Sequence, residues 1–531
     1  MLPCRKRLAC PASGILVAMQ PASSSRTPLV SALLILAALA LAALVGIAFL
    51  YSPAVALVLV ASLAVVGAAL RKPDVATYAV LFLLYSNVPA VSVAFHGVPK
   101  IVAAAFPLLL VVPLVRDLLV RRQPFVSTPA FLVLVLLLVV QALGAAFSID
   151  PGRSFGAVAT FAIEGVILYL LLTNVLRSKE TLRGATWTLV AAGVLMSAVP
   201  LYQQVTRTFD RNYGGLAQVE GLGFSTGETA EEGGGLERQA RLAGPIGEKN
   251  RYAQVMLVLV PLGLSCVFAA RSGAAKFVWL ACTASIALGF VLAFSRGGAL
   301  GMLCTLGVAV GMRLIDFRKA LLALAGMGLL LLAIPQYWKR LETISTTVQI
   351  FDEDKGTAAS DGAVRRRVTE MMAAVRVFLD HPAIGVGPGM FKAYSAEYGN
   401  QDALRRIEGG RRAHSLYLEI AAENGAIGLG LFLAALLLTL VGLAGARRAN
   451  LEHDPELAEL ATFYLLALVC YLSTGMFLHL AYMRYFYLVL AMGGAVTYVG
   501  YRARAERLEE RRAGLPGRAF TAADAAPAGG S

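Results

Sequence analysis

Charged side chains are scarce in this chain: Asp, Glu, Lys and Arg make up 15% of its 531 residues, against 58% hydrophobic residues. So little charge excludes a disordered chain, which needs low hydrophobicity and high charge. Cysteine is also rare. Cys266, Cys282, Cys304 and Cys470 all lie in apolar runs, and none lies in the long polar stretches, so a disulfide framework and a thiolate metal site are both excluded there. A cleavable leader is not expected, because Arg5-Lys6-Arg7 is followed by a short apolar stretch broken by Pro11, Ser13 and Gly14. Cys10 lacks the preceding apolar region of a lipoprotein site, and the start is Met1 or Met19. Histidine is nearly absent, with five in the chain, which leaves few candidates for proton transfer near neutral pH.

Long apolar runs are abundant, and the mean hydropathy is +0.69. Runs of roughly 17–25 residues cross a hydrocarbon core as helices, and about fourteen can be read. They span 29–50, 53–70, 75–95, 101–115, 129–147, 157–174, 185–205, 252–270, 277–294, 298–312, 320–335, 426–444, 459–478 and 485–501. The expected fold is an all-α, polytopic integral membrane protein with two long loops on one side. Basic connectors at Arg71-Lys72, Arg116 to Arg122, Arg177 to Arg183, Arg271 to Lys276, Arg313 to Lys319 and Arg447-Arg448 follow every second span, which marks them as cytoplasmic turns. The same parity gives a cytoplasmic N-terminal tail (1–28), an N-terminal bundle (29–205) and a first outer loop (206–251). Central helices (252–335), a large outer loop (336–425), C-terminal helices (426–501) and a disordered cytoplasmic tail (502–531) complete the division. The net charge of +14 reads as a topology signal with an anionic-lipid preference, and nucleic acid is not an expected partner.

The outer loops carry the chemistry. Residues 214–237 are rich in Gly and Glu and read as a mobile lid or tether. The segment that follows brings Arg241, Lys249 and Arg251 to the outer end of a span, as an interfacial collar or as an anion site. Arg296 sits in the Ser295-Arg296-Gly297-Gly298 turn at the outer interface, where it can hold a helix end or a lipid phosphate, or bind a phosphate for function. Val364, Val368, Met371, Val375 and Phe378 recur at helical spacing and predict an amphipathic surface helix with Arg365, Arg366, Arg367 and Arg376 on its other faces. His381 precedes Pro382 and reads as a helix end. Arg405, Arg406, Arg411 and Arg412 form a second basic cluster suited to drawing in an anionic lipid-linked substrate. His414 then opens a helix that meets the membrane at Asn424-Gly425. It reads as a general base for a hydroxyl or as a structural histidine. Glu419 and Glu423, spaced i, i+4, either orient His414 or bind an arginine. His479 and Arg484 mark another outer turn, and Glu164 lies deep in a span and needs a partner.

These motifs together resemble the O-antigen ligase and Wzy-type polymerase superfamily over residues 240–445. The resemblance rests on Arg241 with Gly244 and Asn250, on the Ser295-to-Gly298 turn, on Arg367 with Pro382, Gly385 and Gly387, and on His414 with Tyr417, Glu419, Glu423 and Gly425. It implies a GT-C-like fold in the bacterial inner membrane with its active site facing the periplasm. The implied reaction is an inverting, metal-independent transfer of a glycan from undecaprenyl diphosphate to an acceptor hydroxyl, with no cofactor. The acceptor would be lipid A-core, a growing polysaccharide or a protein; the last defines a protein O-oligosaccharyltransferase as the alternative. In those roles Arg241 and Arg296 bind the diphosphate and His414 is the catalytic base, with Arg367, Glu419, Glu423, Arg411 and Arg412 in support. The chain departs from its relatives in its larger number of spans, in Met371 and in Arg251. A transporter or flippase of lipid-linked sugars is the reading from another class. It is disfavoured because the charge gathers at one face and no internal repeat is visible.

Overall fold

A computed structural model of the chain describes residues 67–68, 71–222, 240–332, 362–401, 406, 409–478 and 483–513. Chain contacts divide the molecule into Met1–Gly67 and Ala68–Ser531, and every described residue except Gly67 belongs to the second unit. That unit is mostly helical. Helices α1 (Asp74–Ser86) and α2 (Val88–His96) lead into α3 (Lys100–Val120), α4 (Pro129–Ala146), α5 (Pro151–Val175) and α6 (Lys179–Thr206). A two-stranded ribbon, β1 (Gln218–Leu222) and β2 (Ala240–Gly244), precedes α7 (Lys249–Ala269), α8 (Gly273–Leu292), α9 (Arg296–Gly311) and α10 (Phe317–Leu332). Then come α11 (Gly362–Asp380), α12 (Phe391–Gly399), α13 (Leu416–Asn450), α14 (Pro455–Gly475) and α15 (Met483–Arg512).

Among the described residues, eight helices are long and apolar enough to cross a membrane, or up to nine if the bent pair α1–α2 counts as one span. Every expected span from 75–95 onward coincides with a described helix or bent pair, although α9 and α10 are short at 16 residues each. The expected span 29–50 and nearly all of 53–70 lie outside the described residues. The helix starts follow from capping chemistry. Thr128, Asp150 and Asp454 each accept a backbone N–H two or three positions into the helix, and each is followed by Pro at the first helical position, where its missing N–H costs nothing. α1 and α2 are bent by 59° at Asn87, which adopts a left-handed φ of 61° and anchors the break by donating from Nδ2 to Pro245 O at 2.7 Å.

α7 and α14 are the most enclosed helices, and around them pack α8, α9 and α13. The connectors before α4, α6 and α14 meet at one end of this bundle. There Asn174 bonds both polar groups of Val126, Arg177 donates to Pro124 O at 2.8 Å, and Lys179 pairs with Asp454 at 3.1 Å. α13 carries the chain from the opposite end, beginning next to His414.

The structure corrects three expectations. The first outer loop is ordered at both its edges, since residues 218–222 pair antiparallel with 240–244 and Val219 faces Leu242; residues 223–239 lie outside the described residues. α15 continues through Arg512, so the tail read as disordered from residue 502 is helical for its first turns, held by Arg502 to Glu506 at 2.8 Å and Arg507 to Asn450 at 2.8 Å. α11 exists as expected but buries a different face, made of Thr369, Glu370, Ala373, Ala374 and Val377, while Val375 is exposed. Small side chains let α11 lie close to α13, and that closeness, rather than large apolar residues, fixes its orientation.

Candidate active site

Two segments separated in sequence are clasped by backbone hydrogen bonds toward the N-terminal end of α13. Val386 N–H and Gly387 N–H donate to Ala422 O and Glu423 O at 3.0 Å each, while Ala426 N–H and Ile427 N–H donate to Pro382 O at 2.7 Å and Ala383 O at 3.3 Å. The clasp requires that α13 break at Gly425, whose φ of 65° and ψ of −169° belong to a region only glycine occupies readily. A Cβ on Gly425 would collide with Ala383 O, and one on Gly385 with the backbone of Glu423 and Asn424. The Pro-x-x-Gly-x-Gly turn and the Glu-x-Gly segment are therefore two halves of one joint. Ser154 Oγ donates to Pro388 O at 2.9 Å and seats this joint on the start of α5.

A second joint holds the start of α9. Arg241 is buried and donates from Nε to Ala293 O at 3.1 Å and from Nη2 to Phe294 O at 2.9 Å and Asn250 Oδ1 at 3.3 Å. Ser295 donates to the same Asn250 Oδ1 at 3.3 Å and caps α9 by accepting Gly298 N–H at 3.2 Å. Gly244 has φ 53° and lies against the Tyr252 ring, which leaves no room for a side chain. Arg241, Gly244, Asn250 and Ser295 thus form one scaffold that sets where Arg296 begins. Arg296 is half-buried at that helix start, beside the end of α14, where a Cβ on Gly297 would touch Phe477. The His414 segment reaches the same end of α14, since Tyr417 OH donates to Leu472 O at 3.0 Å and Gly475 lies against Leu416.

His414 adopts a left-handed φ of 49°, between buried Ala413 and Ser415, which caps α13 by accepting Leu418 N–H. A non-glycine residue in this region is uncommon and marks a backbone held in place by its surroundings. Its Nε2 lies 3.3 Å from Oε2 of Glu370, which is fully buried on α11. Burial, and then the guanidinium charges of Arg367, Arg366, Arg251 and Arg411, press the imidazole down to about 4 from its ordinary 6.5. The ring is therefore neutral at pH 7. Burial raises the Glu370 carboxyl, against the pull of Arg366, Arg411 and Arg367. A neutral imidazole keeps one of its two ring nitrogens free of a proton, able to act as a base.

The other expected site residues are placed as follows. Glu419 pairs with Arg412 at 3.4 Å, and Glu423 accepts Phe391 N–H at 3.3 Å; these contacts tie both to neighbours other than His414. Arg411 is exposed and its N–H donates to Ser395 Oγ at 2.8 Å. His381 is exposed at the end of α11 with its ring 6.0 Å from that of Tyr394. Glu164 accepts Arg484 N–H at 3.2 Å, which supplies the partner that its depth demands. His479 and Arg405 lie outside the described residues. Near His414, Glu370 was not read as functional, whereas Arg251 was read with Arg241 and Lys249 as an interfacial collar or an anion site. Glu370 is the one acid between Arg365 and Arg376 of α11, and that contrast was its available signal. Arg251 is 1% exposed and bonds Gln254, whose amide in turn donates to Thr474 Oγ1 at 2.8 Å. Among the described residues, no group of three or more His, Cys, Asp or Glu side chains is gathered to hold a metal ion.

A polytopic helical membrane protein with a neutral histidine ringed by arginines at one end of its bundle is the class these observations define. Residues 281–433 match the family model described as O-antigen ligase, which supports placing the chain in the O-antigen ligase and Wzy superfamily. The matched stretch contains both Arg296 and His414. No curated protein matches the chain.

Proposed function

We propose that this protein is an inverting glycan ligase or polymerase, transferring a glycan from undecaprenyl diphosphate to an acceptor hydroxyl on the periplasmic side of the bacterial inner membrane. The observation that carries the reading is the neutral His414, backed by buried Glu370 and ringed by Arg251, Arg366, Arg367 and Arg411. Glycan transfer needs a base for the acceptor and fixed cations for a leaving diphosphate, and this end of the bundle offers both. The acceptor hydroxyl gives its proton to a ring nitrogen of His414 as its oxygen bonds to the anomeric carbon. The bond from that carbon to the diphosphate oxygen breaks, and the electron pair leaves with the diphosphate. Arg296 and the arginines of α11 meet that growing charge. Arg241 serves chiefly by holding the turn that presents Arg296, and Glu370 fixes the ring orientation of His414. Holding two lipid-borne substrates in one orientation at the membrane edge supplies much of the rate.

The test is transfer by the purified, reconstituted chain from a lipid-diphosphate glycan donor, offered lipid A-core, polysaccharide and protein acceptors in parallel. Transfer to one of the three assigns the acceptor, and transfer to none overturns the reading. Glu370→Gln is expected to lower kcat about 10- to 100-fold with little change in either KM, and to shift the acid limb of the pH profile. An unchanged kcat and pH profile would remove Glu370 from the mechanism. Arg241→Ala and Arg296→Ala are each expected to weaken donor use, with the double variant barely worse than the weaker single one, because Arg241 acts through the turn. Additive losses would instead show two independent phosphate contacts.

A further inference from the structure

The last turn of α14 supplies no side chain to the proposed transfer site, yet three helix starts that do are seated against it. From α7, Gln254 Nε2 donates to Tyr471 O at 3.3 Å and to Thr474 Oγ1 at 2.8 Å. From α9, which opens on Arg296, Gly301 approaches so closely that a Cβ there would collide with the Thr474 methyl. From α13, Tyr417 OH donates to Leu472 O at 3.0 Å and Leu416 lies against Gly475. A helix end suits this task, because its last four carbonyls have no intrahelical partner and Leu472 is one of the four.

Gln254 does more than pack. Its Oε1 accepts from Nη1 of Arg251, three positions earlier on α7. The side chain is fully buried and both ends of its amide are used, the oxygen on a guanidinium and the nitrogen on α14. Turning the amide over would set donor against donor at Arg251 and acceptor against acceptor at Tyr471, so one orientation is imposed. Arg251 is thereby tied to α14. Of the four guanidiniums that press on His414, it comes from the bundle, whereas Arg366 and Arg367 come from α11 and Arg411 from the segment before α13. At 1% exposure its charge is screened far less by salt than that of exposed Arg411. Position 251 is also where the chain departs from its relatives, so the resemblance does not supply this arrangement.

We propose that Gln254 and Thr474 are positioning residues for the transfer reaction: their bond locks Arg251 to the turn of α14 on which the Arg296 helix and the His414 segment also seat, so that base and cations keep one spacing. The inference rests on the glycan-transfer reading. Thr474→Val keeps the methyl that faces Gly301 and removes the acceptor for Gln254. It is expected to lower kcat about tenfold with both KM values little changed, as a loss of alignment does. Thr474→Ser retains the acceptor and is expected to recover most of that loss. A second readout needs neither donor nor acceptor: exchange of the imidazole C2–H for deuterium, followed by mass spectrometry of the purified full chain over a pH series, reports the His414 titration. Arg251, Arg366, Arg367 and Arg411 act on that ring together, with Glu370 at 3.3 Å opposing them. Loosening Arg251 should therefore let the midpoint rise from about 4 toward 6.5. Gln254→Leu and Thr474→Val are expected to raise it, and Thr474→Ser to leave it in place. Unmoved midpoints in the first two, an equal rise with serine, or a raised midpoint with unchanged kcat each overturn the lock. Should Gln254→Leu fail to fold, the valine and serine variants decide by themselves. A wild-type chain that transfers nothing ends the glycan-transfer reading, while the exchange measurement still decides whether the lock holds Arg251 against His414.

Discussion

His414→Asn lowers kcat for glycan transfer by about 10²- to 10⁴-fold, the range over which a general base contributes, with little change in donor KM or melting temperature. Asparagine is the informative replacement because position 414 has φ 49°, a region Asn tolerates better than most side chains. The variant therefore removes the base and spares the backbone. The pH profile supplies an independent readout. Burial and the surrounding arginines hold the free imidazole at about 4, so the acid limb of kcat/KM should fall near that value rather than near 6.5. A bound diphosphate offsets the same arginines, so the limb in kcat should lie at higher pH. Stability follows the same sign: with the folded value below the unfolded one, the contribution from His414 is present above pH 6.5 and lost as pH falls through 4. Full activity in His414→Asn, or an acid limb that persists in it, would take His414 out of the chemistry.

Gly425→Ala should produce the largest loss of stability of any single methyl addition in the clasp. The strained φ and ψ at this position cost about 1–3 kcal/mol for a residue with a Cβ, and forcing the methyl against Ala383 O adds about 1–3 kcal/mol of overpacking. The added carbon meets backbone atoms, which leave no room to yield, rather than a flexible side chain. The expected outcome is a melting temperature many degrees lower and rapid proteolysis between residues 382 and 427. Gly430→Ala is the matched control, since a Cβ there meets nothing within 4 Å. Equal melting of the two variants would show that the clasp does not hold residues 382–427 together.

Most of the helices were legible because hydropathy acts locally; the caps at Thr128-Pro129, Asp150-Pro151 and Asp454-Pro455, equally local, were there to be read as well. Arg296 and His414 were legible for a related reason, being charge or imidazole placed where a membrane edge makes either costly. Glu370 was not. Periodicity weighs large apolar side chains, so Val364, Val368, Met371, Val375 and Phe378 drew the buried stripe of α11 to the wrong face. The true face is small and polar because it must approach α13 and bring a carboxylate to His414. Arg241 was read as a ligand for phosphate, and its bonds to Ala293, Phe294 and Asn250 add a scaffolding task that no local pattern reveals. The ribbon of β1 and β2 escaped notice because its pairing joins segments on either side of a Gly- and Glu-rich stretch.

The clasp between the 382–389 turn and the break in α13 also bears on the order in which the protein assembles. Phe391 and Glu423 stand 32 positions apart, whereas Ser154 and Pro388, which seat the same turn on the bundle, stand 234 apart. Closing the longer loop costs about 2 kcal/mol more in chain entropy. The clasped segment can therefore close on itself as soon as its own stretch of chain is free, and dock as a finished piece onto the earlier helices. His414 would then acquire its backbone geometry from its near neighbours in sequence, and come to the end of α14 that Arg296 also borders only at the final docking step.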